Sequence, residues 1–130
     1  MIENFSIVTS SRTQFIDITS RVAEIVEKSN LEEGICWIFV PHTTAAVTIN
    51  EGADPSVSKD ILEHLDRMIP QQESYHHLEG NSPAHIKSFL TGSSQVIIIQ
   101  KGKLLLGTWQ SIYLCEFDGP RHRQVTVKIG

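Results

Sequence analysis

Residues 75–85, with the sequence YHHLEGNSPAH, concentrate the groups of this 130-residue chain that are most capable of chemistry. Three of the six histidines lie here, together with the carboxylate of Glu79, the amide of Asn81 and the hydroxyl of Ser82. Imidazole changes charge near neutral pH and is the commonest metal ligand in proteins. So many polar groups would be costly to bury in a hydrophobic core. The segment therefore predicts a functional site.

The end of this segment has the features of a helix start. Ser82 can cap the helix, and Pro83 suits the first helical position, where its missing N–H needs no partner. His85 then lies in the first turn, where the positive helix end opposes protonation and leaves the imidazole able to bind metal. His77 precedes it on a glycine-containing loop, and His42 follows an apolar strand. We therefore predict that His42, His77 and His85 converge on one divalent metal.

Two features of this histidine set qualify the metal interpretation. The spacing of eight residues between His77 and His85 matches no standard zinc signature. Three imidazoles favour zinc over magnesium, which prefers carboxylate and water oxygens. Glu79, between His77 and Gly80, is either an acid–base group or a solvated loop acid.

Length and composition bound the class of protein. A chain of 130 residues, 40% hydrophobic and 20% charged, is expected to form a single domain over residues 1–130. Cys36 and Cys115 each lie alone in an apolar run and are expected to be reduced core residues. No signal peptide is visible, and no apolar run approaches the roughly 20 residues needed to cross a bilayer. We therefore expect a cytoplasmic protein with no membrane partner.

The charge of the chain is unevenly distributed. Up to Ile86 there are five Lys and Arg against thirteen Asp and Glu, and from Lys87 onward six against two. A basic end on a chain of net charge −4 suits a small anionic ligand better than nucleic acid, which favours a broad positive surface. Arg121 and Arg123 could bind phosphate through paired N–H groups. The alternative is that these arginines form structural pairs with acidic residues or with another subunit.

Hydrophobic periodicity predicts an α+β domain with mostly antiparallel strands and about three helices on one side or at the ends of the sheet. Residues 35–40 are apolar at every position, which predicts a central strand covered on both faces. Alternation along residues 44–50 places Thr44, Ala46, Thr48 and Asn50 on one face. The other expected strands start near residues 5, 15, 95, 112 and 124, and the helices cover 19–29, 54–69 and 83–90.

Six short motifs together resemble the YjbQ-type family, which is labelled secondary thiamine-phosphate synthase. They are His42-Thr43-Thr44-Ala45, Asn50-Glu51, His77-Leu78-Glu79-Gly80-Asn81, Ala84-His85-Ile86-Lys87, Gly107-Thr108-Trp109-Gln110 and Asp118-Gly119-Pro120-Arg121. The resemblance covers nearly the whole chain. It implies a compact α+β homotrimer with polar pockets between subunits, and a metal held by the family's motif histidines, here His42, His77 and His85.

The activity implied by the resemblance joins hydroxymethylpyrimidine diphosphate to a thiazole phosphate and releases pyrophosphate. Candidate catalytic residues are Glu79, Asn50 and Asp118. Candidate residues for the phosphorylated substrate are Asn81, Ser82, Thr108, Trp109, Gln110, Arg121 and Arg123. Trp109 or the Arg121 segment is expected near the histidines of a neighbouring subunit.

Two other classes of function remain open from the sequence. The chain could be a metal-dependent hydrolase in which Glu79 acts as the base for a bound water. It could also be a non-enzymatic trimer that binds a small anionic metabolite.

Overall fold

Eight strands and three helices build the fold in a computed structural model that describes all residues from 1 to 130. The strands are β1 (Ile2–Val8), β2 (Gln14–Asp17), β3 (Glu33–Phe39), β4 (Ala45–Glu51), β5 (Ser94–Gln100), β6 (Lys103–Leu104), β7 (Gln110–Glu116) and β8 (His122–Ile129). The helices are α1 (Thr19–Ser29), α2 (Pro55–Met68) and α3 (Ser82–Thr91).

The strands form two antiparallel sheets. The larger sheet has the order β1-β8-β3-β5-β6, and the smaller has the order β2-β7-β4. The expected α+β class with three helices and antiparallel strands is confirmed, and β3 is central, as predicted. The division into two sheets was not predicted, because alternation shows which face of a strand is apolar but does not show which strands pair.

The main core lies between the two sheets. It takes the inward-facing residues of both, such as Ile38, Val127, Val47 and Leu114, and α1 closes one side with Val22, Ile25 and Val26. Cys36 belongs to this core, and Cys115 is buried on the other face of the smaller sheet. Both thiols are free, as expected, and burial raises the pKa of Cys36 to about 11.

Helices α2 and α3 cover the outer face of the smaller sheet. A second apolar cluster lies there, formed by Ala46, Ala84, Tyr113, Cys115 and Phe117. The predicted alternation of residues 44–50 is confirmed, since Ala46 faces this cluster whereas Ala45 and Val47 face the main core. No helix of the structure combines the length and the apolar character that crossing a membrane requires.

The outer face of the larger sheet is not covered by a helix. On β3, the outward residues Trp37 and Phe39 are 40% and 47% exposed, and on β5 Val96 and Ile98 are 55% and 54% exposed. The prediction that β3 is covered on both faces is therefore wrong for a single chain. The strand is buried on one face, and its second apolar face is open.

Of the three helices, only α2 has an N-cap residue whose side chain makes a capping hydrogen bond. Asp54 accepts a hydrogen bond from the Ser56 amide at 2.9 Å, so α2 starts at Pro55, as predicted. For α1 the expected cap was Thr19 or Ser20, but Asp17 accepts from the Thr19 amide at 2.9 Å instead. α3 includes Ser82 as its first residue, so the capping position belongs to Asn81 rather than to Ser82.

Candidate functional site

His77 and His85 face each other at the start of α3. Their ring centroids are 5.2 Å apart and their planes are nearly perpendicular. Both rings line a cavity of about 430 Å³ together with Tyr75, His76 and Ser82. Gln71 holds the connecting loop by donating from Nε2 to the Gly80 carbonyl at 3.0 Å, and Gly80 has a φ of +78° that favours glycine. The turn before α3 thus brings the His77 ring next to the His85 ring in the first turn of the helix.

His85 also connects this cavity to His42. A neighbouring cavity of about 400 Å³ is lined by both His42 and His85, and His42 extends into a third of about 600 Å³. His42, His85 and His77 therefore line one continuous series of cavities, which we call the histidine groove. The three histidines that the sequence predicts to act together do lie along one surface.

His42 has its ring fixed by the backbone. Its Nε2 accepts a hydrogen bond from the Gln124 amide at 2.9 Å. Burial, together with the positive charge of Arg123, lowers the pKa of His42, so the ring is neutral at pH 7. A neutral imidazole that accepts at Nε2 carries its proton on Nδ1 and can only donate there. His42 is thus placed as a hydrogen-bond donor, which differs from the metal-ligand role predicted for it.

The His77–His85 pair has a spacing that suits a shared metal. In a tetrahedral zinc site with nitrogen-to-metal distances of about 2.0–2.1 Å, two imidazole centroids lie about 5 Å apart. The 5.2 Å separation agrees with this value, although an edge-to-face ring contact has a similar spacing. No group of three or more His, Cys, Asp or Glu side chains in the chain is arranged to hold a metal. The expected three-ligand cluster is therefore not assembled within one chain.

Asn81, Asp118 and Arg121 form a polar cluster at the start of α3. Asn81 donates from Nδ2 to Asp118 Oδ2 at 2.9 Å, and Arg121 donates from Nη2 to the same oxygen at 2.9 Å. The Asn81 Oδ1 atom is buried without a partner. Arg121 remains half-exposed, so one predicted catalytic residue and two predicted substrate-binding residues do lie together.

Arg123 differs from the solvated phosphate ligand that the sequence predicts. It is 4% exposed and donates from Nε to Glu116 Oε1 at 2.8 Å and from Nη2 to Thr44 Oγ1 at 2.9 Å. Glu116 is fully buried and also accepts from the Thr9 hydroxyl at 2.7 Å. Since β7 and β8 belong to different sheets, this ion pair joins the two sheets. Arg123 therefore forms a structural pair with an acidic residue, which is the alternative to phosphate binding.

A second group of predicted site residues lies at the other end of the smaller sheet. Asn50 is paired with Ser111, and the Gly52 amide donates to the Trp109 carbonyl at 2.8 Å. Thr108, Trp109 and Gln110 are exposed, and Gln110 Oε1 accepts from the Gly107 amide at 2.8 Å. Because the seven residues of β4 separate the two ends, this group lies roughly 20 Å from the end of β4 that is nearest His42. One chain therefore divides the predicted site residues between two places.

Glu79 is exposed in the loop that precedes α3, directly after His77 and Leu78. The structure thus leaves its carboxylate in solvent beside the histidine groove. This position agrees with both interpretations of Glu79, as an acid–base group and as a solvated loop acid.

Two ion pairs in which the cation is buried lie beside the groove and were missed by the sequence reasoning. Lys87 is 1% exposed and donates from Nζ to Asp66, which links α3 to α2, and Glu116 pairs with Arg123. Signals for both existed. Lys87 lies three residues after Ala84 on one face of α3, and Glu116 is the only charge in the apolar run 112–117.

The fold and the groove define a class, namely an α+β protein with two antiparallel sheets and a histidine-lined surface at one end of them. A family model described as UPF0047 protein YjbQ-like matches residues 3–130. The chain therefore belongs to the UPF0047 family of YjbQ-like proteins.

Relatives with similar sequences cover almost the whole chain. A UPF0047 protein of Methanocaldococcus jannaschii is 53% identical over 129 residues, which cover 99% of this chain and 94% of that protein. The UPF0047 protein YugU of Bacillus subtilis is 46% identical over 130 residues, which cover 99% of this chain and 98% of that protein.

Solved structures of the family have the same fold. A crystal structure from Clostridium acetobutylicum, described as an uncharacterised conserved protein of the YjbQ/UPF0047 family, matches with a TM-score of 0.97 at 56% identity. The match covers 98% of this chain and 99% of the Clostridium acetobutylicum chain. A protein of unknown function from Sulfolobus solfataricus matches with a TM-score of 0.96 at 38% identity, covering 99% of this chain and 95% of that chain.

Proposed function

We propose that the histidine groove is the active site of a small-molecule enzyme that uses a divalent metal, zinc rather than magnesium, and a phosphorylated substrate. The observation that carries the proposal is the facing pair of His77 and His85, with a separation that suits a shared metal and with His42 in the adjoining cavity. The likeness to the family labelled secondary thiamine-phosphate synthase supports a condensation of hydroxymethylpyrimidine diphosphate with a thiazole phosphate. The chemistry requires that negative charge be stabilised as pyrophosphate leaves.

The chain offers several groups for an anionic substrate. His42 lines the groove as a neutral imidazole that carries its proton on Nδ1, and Ser82 lies in the cavity with His77 and His85. The N-terminal end of α3 adds its partial positive charge beside these residues. Arg121 brings a half-exposed guanidinium to the neighbouring cluster. A metal held by His77 and His85 would supply further positive charge for the leaving group.

Zinc binding tests the roles of the three histidines. His77→Ala and His85→Ala should each weaken zinc binding more than about 100-fold, since even groups that only orient a metal ligand contribute about 10- to 100-fold. His42→Ala should change zinc affinity less than about 10-fold but weaken binding of inorganic pyrophosphate, because Nδ1 donates and does not ligate. The measurement is calorimetric titration of untagged protein, first with zinc and then with pyrophosphate.

His64→Ala is the matched control, since His64 is exposed on α2 and belongs to none of the three cavities of the groove. It should leave both affinities unchanged. A wild-type protein that binds no zinc, or zinc binding that survives in both His77→Ala and His85→Ala, would contradict the metal proposal. Equal zinc losses in all three groove variants would instead restore His42 as a ligand.

The second part of the proposal is assembly as a homotrimer. Large exposed apolar side chains, Trp37, Phe39, Val96 and Ile98, lie on the uncovered face of the larger sheet. Contiguous apolar surface of this kind is typical of a subunit interface. A neighbouring chain could also supply the Trp109 segment to the groove, which would unite the two groups of site residues that one chain keeps apart. The trimeric number follows from the resemblance to the family.

Charges placed on the uncovered sheet face should therefore dissociate the assembly. The double variant Trp37→Glu, Val96→Glu puts two carboxylates opposite each other, because these residues are register partners on β3 and β5. We expect light scattering to show a trimer for the wild type and a monomer for the variant at micromolar concentration. Met68→Glu, at the exposed end of α2, is the control and should remain trimeric. A monomeric wild type would contradict the proposal.

A further inference from the structure

A separate cavity of about 440 Å³ lies between α1 and the hairpin formed by β5 and β6. Four of its nine lining residues are apolar and come from two parts of the chain: Ala23 and Val26 lie on α1, Leu104 ends β6, and Leu106 follows it. It shares no residue with the cavities of the histidine groove. Its volume is within the range of about 300–1,000 Å³ that is typical of small-molecule sites.

Charged side chains surround the opening of this cavity, and cations outnumber anions. Lys101 and Lys103 line it on one side and Glu27 on the other. Five other basic side chains of the chain are ion-paired, namely Arg12, Lys28, Lys87, Arg121 and Arg123, whereas Lys101 and Lys103 have no acidic partner. The positive charges of Lys101 and Lys103 are thus available to a ligand, whereas the positive charge of Arg123 is paired with Glu116.

The turn between β5 and β6 holds both lysines at this opening. Gln100 pairs with Lys103 across the hairpin, so Lys101 and Gly102 form a two-residue turn, and both have positive φ, at 54° and 74°. Such turns usually have Asn or Gly at the first of these positions, because a side chain there is strained. The Gly102 amide donates to the Glu32 carbonyl at 3.0 Å, which fixes the turn against the rest of the sheet. Lys101 therefore occupies a position where asparagine would suit the backbone better.

From these observations we infer that this cavity binds a small amphipathic anion, with its apolar body between α1 and β6 and its carboxylate or phosphate at Lys101 and Lys103. Apolar walls with a few charged groups at the opening are the usual construction of such a site. Glu27 opposes the anion and limits its affinity. This site is independent of the histidine groove and of the activity proposed there.

Octanoate and 1-octanol are suitable probes, since they share an eight-carbon chain and differ in the charged head. In an amide NMR titration of the full-length protein, octanoate should shift the signals of residues 23–27 and 101–106, and octanol should bind more weakly. Lys101→Asn and Lys103→Gln should each weaken octanoate binding about two- to fivefold, the range expected for one exposed charge pair. Lys101→Asn removes the charge and keeps a residue that suits the turn, so the thermal midpoint should not fall.

Two further variants test the sign of the charge effect and whether it is confined to this cavity. Glu27→Gln should strengthen octanoate binding by a similar factor, because it removes the repulsive carboxylate. Lys128→Gln lies on the outer face of β8, beside Trp37 in the register, and should have no effect. Loss of octanoate binding in Lys128→Gln alone, equal affinities for octanoate and octanol, or unshifted signals at 101–106 would each overturn the inference.

Discussion

Replacing Arg123 with methionine is expected to lower the free energy of unfolding by about 3–5 kcal/mol at neutral pH, the cost of removing one partner from a buried ion pair. The guanidinium of Arg123 is the only cation bonded to Glu116, and both side chains are almost completely buried. Methionine preserves much of the apolar volume, so the loss reports the unpaired charge. Chemical denaturation followed by circular dichroism measures it.

Glu116 determines how this loss depends on pH. Burial raises the pKa of Glu116, but hydrogen bonds from Arg123, Thr9 and the Asp118 amide, with the charge of Arg123, outweigh burial and lower its pKa below the ordinary 4.5. The stability contributed by a carboxylate with a lowered pKa is fully present above its unfolded-state pKa and disappears as the pH falls through its folded-state pKa. The wild type should therefore lose this contribution only below about pH 4.5. In Arg123→Met, the deficit should become smaller towards acidic pH, because protonation removes the unpaired charge.

Two variants separate this explanation from simple loss of packing. The double variant Glu116→Gln, Arg123→Met has no unpaired charge and should regain most of the lost stability. Arg121→Ala, two residues away, removes an exposed pair with Asp118 and should cost less than about 1 kcal/mol. If Arg123→Met were as stable as Arg121→Ala and bound pyrophosphate less tightly, the guanidinium would be a ligand group after all.

The position of Arg123 shows which information the sequence contained and which it lacked. Along β8 the odd-numbered residues Arg123, Val125, Val127 and Ile129 are buried and the even-numbered ones are mostly exposed. The alternation was therefore visible, but the strand was expected to start at Gln124, which left Arg123 outside it. Its partner was not predictable, because Glu116 is in another sheet, and pairing between sheets depends on tertiary packing.

The limits of sequence reasoning are also clear at β3. Residues 35–40 are apolar throughout, which predicted burial on both faces, yet Trp37 and Phe39 are exposed in a single chain. Side-chain type shows that a surface tends to be covered, and it does not show whether a helix or a neighbouring chain covers it. The histidines were easier to locate, since His77 and His85 are joined by one short loop. Whether His42 ligates or donates depended on the Gln124 amide, a contact across 82 residues that no local pattern records.

Removal of the Asp66 carboxylate should destabilise the protein far more than removal of its partner Lys87, although both changes break the same ion pair. Asp66→Ala leaves the ammonium of Lys87 in a site where the residue is 1% exposed, and an unpaired buried charge costs about 3–5 kcal/mol. Lys87→Met keeps an unbranched apolar side chain in that site. It leaves Asp66 partly exposed with Arg12 still 3.6 Å away, so the expected loss is at most about 1 kcal/mol. Alanine is a good helix former, so the loss in α2 is not a propensity effect.

The asymmetry matters for the proposed active site, because Lys87 is on the helix that carries His85. When Lys87 loses its partner, its ammonium must reach solvent or lose its proton, and α3 should shift relative to α2. Asp66→Ala should therefore also weaken zinc binding at His77 and His85, whereas Lys87→Met should leave it nearly unchanged. Thermal denaturation and zinc titration of both variants, with Asp66→Ala, Lys87→Met as the charge-free control, test this together. The control should recover stability and zinc affinity relative to Asp66→Ala. If Lys87→Met were less stable than Asp66→Ala, the unpaired charge would not explain the loss. The ammonium of Lys87 itself would then hold α3 in place.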